Sequence, residues 1–204
     1  YGETPKYNGE TPTKDATAEF TYTFAGWSPA ITMVEGAQTY TATFNVVKKQ
    51  YEIIFQNEDG TELQRSNVTY GETPIYNGAT PTKPATAEFT YTFSGWSPAI
   101  VAVTGNATYT ATFSKEVNSY TVTLDAEHGT VTGAGTYTYG TSANIVATPA
   151  ECYHFVKWSD GDTNANRTIV VTGNISLTAI FAVDTYTIKV ESADDTQGTV
   201  SVTK

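Results

Sequence analysis

Three groups of residues have types that could do chemistry. Cys152 and His154 lie two apart, a spacing that puts a thiol and an imidazole on one face of a strand, as a nucleophile and its base require. Asp160, Asp162 and Asn164 read D-x-D-x-N, the opening of a calcium-binding loop. Lys157, Asn174 and Glu151 supply the amine, amide and carboxylate of a lysine–asparagine cross-link.

The first two groups lack needed parts. His128 and His154 are the chain's imidazoles, so no zinc cluster or Ser-His-Asp set can be assembled. The sixth position of the calcium pattern is Ala165 where Gly is needed, and the twelfth is Val171 where Glu is needed. A polar turn after Trp158 is the plainer reading. The chain is therefore read as non-enzymatic and free of cofactors, with Asp160, Asp162 and Asn164 as weak metal candidates. Candidates for binding are Tyr76 and Tyr137, aromatics beside turns that could stack on a sugar ring or anchor a partner.

Composition narrows the partners. The formal charge is −10, which opposes a phosphate backbone and an anionic membrane surface. No stretch approaches the ~18 apolar residues of a membrane span. Cys152 is the single cysteine, so no internal disulfide can staple the chain. The first residue is Tyr1, not Met, and the chain is read as an internal portion of an exported protein. On that reading the signal and anchor lie outside it.

Repetition organises the whole sequence. Residues 1–44 and 70–113 align at a constant offset of 69 without a gap, Trp27 with Trp96 and Phe44 with Phe113. A diverged copy follows. Its Tyr120 matches Tyr51, its Tyr139-Gly140 matches Tyr70-Gly71, and its Tyr153, Phe155 and Trp158 match Tyr91, Phe93 and Trp96. A further copy opens at Tyr186. Short polar links at 45–50, 114–119 and 182–185 divide the chain into four expected parts. They are an incomplete module (1–50), two complete modules (51–119 and 120–185) and a leading hairpin (186–204). Boundaries just before Tyr70 and Tyr139 are the rival phasing.

The elements that would position these residues are strands. Thr is the commonest residue, and Tyr, Phe and Val are plentiful, which suits pleated, half-buried surfaces. Phe89, Tyr91 and Phe93 alternate with Thr90, Thr92 and Ser94, so aromatics should face a core and hydroxyls water. The expected core is Tyr22, Phe24, Trp27, Tyr91, Phe93, Trp96, Tyr109, Phe113, Tyr153, Phe155, Trp158 and Phe181. Glu58-Asp59-Gly60 reads as a hairpin turn, and Gly105-Asn106 and Gly173-Asn174 likewise. The stretch from Tyr70 to Ala85 carries five Gly and Pro, which exclude a regular helix or central strand. It reads as a crossover with room for one helical turn.

The ordered set Tyr91-Thr-Phe-Ser-Gly-Trp96 and Thr108-Tyr-Thr-Ala-Thr-Phe113 resembles the Listeria–Bacteroides repeat, a family that includes the B-repeat of internalin B. From Tyr120 the markers Gly129-Thr-Val131, Tyr139-Gly140, Tyr153-His-Phe155, Trp158-Ser-Asp-Gly161 and Leu177-Thr-Ala-Ile-Phe181 resemble a divergent internalin-type repeat. The resemblance implies a mainly β protein of tandem, small β-grasp-like (ubiquitin-like) modules in an elongated array. Strand content alone equally permits small β-sandwich modules. The resemblance also implies an extracellular stalk or spacer on a bacterial surface. The alternative is an adhesive module for an unknown host or cell-surface ligand. The incomplete first module and the final leading hairpin suggest head-to-tail self-association.

Overall fold

The structure is a computed structural model that describes residues 2–188. All its regular elements are strands, so the mainly β repeat architecture stands. The described residues form two compact units, 2–84 with Tyr91–Lys115, and Ala85–Thr90 with 116–188.

The first repeat supplies β1 (Phe20–Ser28) and β2 (Thr41–Lys48), which form a two-stranded antiparallel sheet among the described residues. Its register slips between Phe24 and Gly26. This bulge explains a pattern that simple alternation would forbid. Residues three apart on a regular strand face opposite sides, but one extra residue returns Phe24 and Trp27 to the same face. Their rings meet edge-on at 5.5 Å. Gly26 sits in the bulge at φ 140°, a conformation that favours glycine.

The second repeat contributes β3 (Gln50–Gln56), β4 (Glu62–Thr69), β5 (Phe89–Ser97) and β6 (Ala107–Val117). They form one sheet in the order β4-β3-β6-β5, with β3 and β6 parallel. Two outer strands flanking a parallel central pair is the sheet order of a β-grasp. The Asn57–Thr61 turn closes β3 onto β4, with Gly60 at φ 85°, as its Glu58-Asp59-Gly60 sequence implies. Residues 70–88 contain no helical turn. The Pro-rich crossover is irregular instead, and it covers the sheet where a β-grasp would place a helix. Ile53 and Phe55 on β3 are fully buried, and Tyr109 on β6 is nearly so.

The third repeat runs through β7 (Ser119–Ala126), β8 (Gly129–Thr132), β9 (Gly135–Thr138), β10 (Ser142–Pro149), β11 (Tyr153–Trp158), β12 (Asn166–Val170) and β13 (Ile175–Val183). Its four-stranded sheet, β11-β13-β7-β9, repeats the order of the second repeat, again with its first and last strands parallel. A second sheet, β12-β10-β8, stands where the second repeat has its crossover. Ala143, Ile145 and Ala147 alternate along β10 and pack against Val122, Trp158, Leu177 and Ala179 of the first sheet. Thus the third repeat is two-layered while the second has one sheet and a strap. Burying a side chain such as Ile145 contributes roughly 1.5–3 kcal/mol.

Two expected turns proved to be something else. Gly105-Asn106 and Gly173-Asn174 are not hairpins, because β12 and β13 belong to different sheets and β6 begins beside β3. They start the closing strand of each repeat. Asn106 accepts a hydrogen bond from the Glu52 amide at 2.9 Å, and Asn174 accepts one from the Thr121 amide at 2.9 Å. The asparagine fastens the opening strand at the point where the parallel ladder begins. The hairpin expected over 186–204 lies outside the described residues beyond Ile188.

Candidate functional site

The Asp-rich turn after β11 is built around a cation from the protein itself. Arg167 enters from β12. It donates through one terminal nitrogen to Asp160 at 2.5 Å and through the other to Asp162 at 2.8 Å. Its guanidinium lies 5.8 Å from the Trp158 ring centre, and Trp158 Nε1 donates to the Asn164 carbonyl at 3.0 Å. The Arg167 side chain is only 13% exposed, and its Nε–H meets no acceptor among the described residues. The hydrogen bond from Arg167 holds the Asp160 carboxyl below its ordinary range. The Asn164 amide, and then Arg167, do the same for Asp162. The three candidate metal ligands therefore meet in one turn, but their carboxylates face a guanidinium. No group of three or more His, Cys, Asp or Glu able to hold a metal occurs among the described residues. Arg167, one of two arginines in the chain, was the missing signal, because a cation seven residues beyond Asp160 can neutralise the loop.

Tyr76 packs its ring against Phe55 at 5.4 Å and Trp96 at 4.9 Å, and donates its hydroxyl to the Ala79 carbonyl. Tyr137 packs on the third repeat's core and donates to the Gly133 carbonyl at 2.8 Å. Both rings thus serve internal packing in this structure. Cys152 precedes β11 in a turn at φ 65° and is exposed. It is not on the strand, so its side chain does not share a strand face with His154. The His154 ring bonds Asp184 at 2.8 Å instead. Asn174 is engaged with the Thr121 amide.

The remaining aromatics form the walls of the repeats. Tyr22, Phe24 and Trp27 are half-buried, as are Tyr91, Phe93, Trp96, Phe113, Tyr153, Phe155 and Phe181. Tyr109 and Trp158 are buried. Phe93 and Phe113 meet edge-on at 6.1 Å, and Phe155 and Phe181 at 5.8 Å. Lys14 lies 4.1 Å above the Tyr22 ring, and Lys83 lies 4.4 Å above the Tyr91 ring.

One arrangement recurs with unusual regularity, and local sequence did not disclose it. In the first unit the Lys49 amide donates to the Glu19 carbonyl at 2.8 Å and the Tyr51 hydroxyl to the Ala18 carbonyl at 2.6 Å. In the second unit the Asn118 amide donates to Glu88 at 2.8 Å and the Tyr120 hydroxyl to Ala87 at 2.6 Å. The Asp184 amide bonds the Cys152 carbonyl in the same way. A second lock also recurs. The Gly2, Gly71 and Gly140 amides donate to the carbonyls of Val34, Val103 and Val171.

No curated protein matches this chain. A solved structure of Streptococcal High Identity Repeats in Tandem (SHIRT) domains 3-4 from a cell surface protein is 14% identical. It covers 66% of this chain and 98% of its own, with a TM-score of 0.31. Residues 120–185 match the family model described as a divergent InlB B-repeat domain, and the resemblance to the internalin B-type repeat is shown over that span.

Proposed function

We propose that these repeats are a non-catalytic, load-bearing spacer of a bacterial cell-surface protein. The family match over 120–185 supports the surface setting. One structural observation supports the mechanical role. In each complete repeat the first and last strands are adjacent and parallel, β3 with β6 and β7 with β13. Tension applied through the chain pulls these two strands in opposite directions along their length. Every hydrogen bond of the ladder is then loaded together, in shear, rather than one after another as in a peeled hairpin. The Asn106 and Asn174 clasps add a side-chain bond at the start of each ladder.

Single-molecule force spectroscopy on the full chain tests this. Two separate unfolding events are expected, each releasing roughly 200 Å of contour for about 60 residues at ~3.3–3.6 Å per residue. Their forces should fall when Asn106 or Asn174 is changed to Ala. A single event, or extension without resolvable force peaks, would overturn the load-bearing reading.

A further inference from the structure

We infer that Asn77 is a self-modification site, at which the Gly78 backbone amide displaces the Asn77 side-chain nitrogen and the residue becomes aspartate or isoaspartate. Asn77-Gly78 lies in the crossover of the second repeat, directly after Tyr76. The glycine is there for a steric reason. A Cβ at position 78 would overlap the Tyr76 hydroxyl and ring. That hydroxyl reaches past Gly78 to donate to the Ala79 carbonyl at 2.9 Å. The ring takes its seat against Phe55 and Trp96 only because residue 78 has no side chain. Core packing therefore imposes on Asn77 the one neighbour whose amide no Cβ shields from the preceding carboxamide.

The two reacting groups are also unrestrained. Asn77 is exposed and lies in irregular backbone. Among the described residues neither its carboxamide nor the Gly78 amide has a hydrogen-bond partner. The main chain on either side is held. Gln64 donates to the Ile75 carbonyl at 2.9 Å and accepts from the Asn77 amide at 2.8 Å, and Tyr76 holds Ala79. Asn118 is the internal contrast. It too precedes a small residue, Ser119, but its carboxamide is tied on every side. It donates to the Thr86 and Ala87 carbonyls at 2.8 and 3.0 Å and accepts from the Thr90 hydroxyl at 2.7 Å.

The chemistry needs water as its one co-reactant. The Gly78 nitrogen attacks Cγ of Asn77, the N–Cγ bond forms and the Cγ–Nδ2 bond breaks. Nδ2 leaves as ammonia, carrying the proton that the Gly78 amide gives up, and a cyclic succinimide remains. Water then opens the ring. Attack at Cγ gives aspartate, and attack at the main-chain carbonyl gives isoaspartate. Either product replaces an amide by a carboxylate, one unit more negative than the formal −10. Isoaspartate also inserts a methylene into the main chain between Tyr76 and Ala79. The hydroxyl bond that anchors the Tyr76 ring spans that stretch, so the ring loses its anchor. The triplet recurs as Tyr7-Asn8-Gly9, where a Cβ on the glycine would likewise meet the tyrosine ring.

The test incubates the full chain at mildly alkaline pH, where more of the Gly78 amide is deprotonated. Peptide mapping with chromatography that separates aspartate from isoaspartate follows each asparagine. Residue 77 should appear as both products while residue 118 stays asparagine. In the isoaspartate fraction the second repeat's calorimetric transition should fall by roughly 4–8 °C, the shift for one lost hydrogen bond in a domain this small. Asn77→Gln must close a larger ring and should keep its transition over the same incubation. If Asn77 stays intact for the time in which the chain converts fully in urea, the fold shields the pair and the inference is overturned. Equal conversion at residue 118 overturns the assignment of reactivity to the unrestrained carboxamide. Isoaspartate at 77 with an unchanged transition overturns the consequence for the Tyr76 ring.

Discussion

Phe55→Ala would empty the aromatic cage at the centre of the second repeat. Phe55 is fully buried and touches three rings, Tyr76, Trp96 and Tyr109. Truncating a buried Phe costs about 3–5 kcal/mol in lost transfer energy and cavity. A repeat of this size has a small core, and typical domain stabilities are about 5–15 kcal/mol. The variant should therefore keep little margin. At ~4–8 °C per kcal/mol for a domain this small, its transition should fall by about 12–40 °C. Scanning calorimetry of the full chain would measure the shift. Hydrogen exchange at Ile53 and Tyr109 would identify which transition belongs to the second repeat. Phe55→Leu should rank between wild type and Phe55→Ala, because it leaves fewer contacts unmade. A shift below about 5 °C, with the third repeat's transition unchanged, would refute the claim that this ring carries the core.

Acid should loosen the turn after β11. Asp160 and Asp162 have folded values below their ordinary 3.8. Their contribution is complete above the unfolded value and is lost as pH falls through the lower folded ones. The melting temperature of the third repeat should thus drop below about pH 4, and Asp162→Asn should flatten that drop. Gly133→Ala should destabilise the third repeat by more than about 1 kcal/mol in urea titrations. Gly133 has φ 99°, and a Cβ there would collide with the Asn144 carbonyl oxygen. Tyr120→Phe deletes the hydroxyl bond to Ala87 and should cost about 0.5–1.5 kcal/mol. Faster exchange of the Thr90 and Asn118 amides would localise the effect.

Much of the strand content could be read directly because a period of two leaves a visible trace when one face is aromatic and the other is Thr. Phe89 to Phe93 is the clearest case, half-buried and exposed by turns. The bulge that brings Phe24 onto the same face as Trp27 was less visible, since only a Gly marks it. Gly105-Asn106 misled because a glycine–asparagine pair announces a turn without saying which strands it joins. Parallel pairing across 54 residues, Ile53 with Ala107, has no local signature. The second sheet of the third repeat was hidden by the alignment itself. That sheet has no counterpart in the second repeat, although Ala143, Ile145 and Ala147 alternate as a strand. Among the candidate sites, Asp160, Asp162 and Asn164 were found together. The purpose of their grouping rests on Arg167, whose approach depends on β12 folding back beside the turn.

The links between repeats have a further consequence for how the chain finds its fold. β2 ends at Lys48 and β3 begins at Gln50, while β6 ends at Val117 and β7 begins at Ser119. One residue separates each pair. Near-identical neighbours invite exchange of equivalent strands, and β2 offers β3 almost the same edge as its proper partner β6. A parallel pair, however, needs a connection of a dozen or more residues to bring the chain back to its starting end. A hairpin normally needs about two. A single residue permits neither. The nearest wrong partner is thereby the one that β3 cannot reach, and it must wait for the closing strand of its own repeat to emerge. Lengthening the link with a flexible insert should remove this proofreading and let neighbouring repeats entangle as they refold.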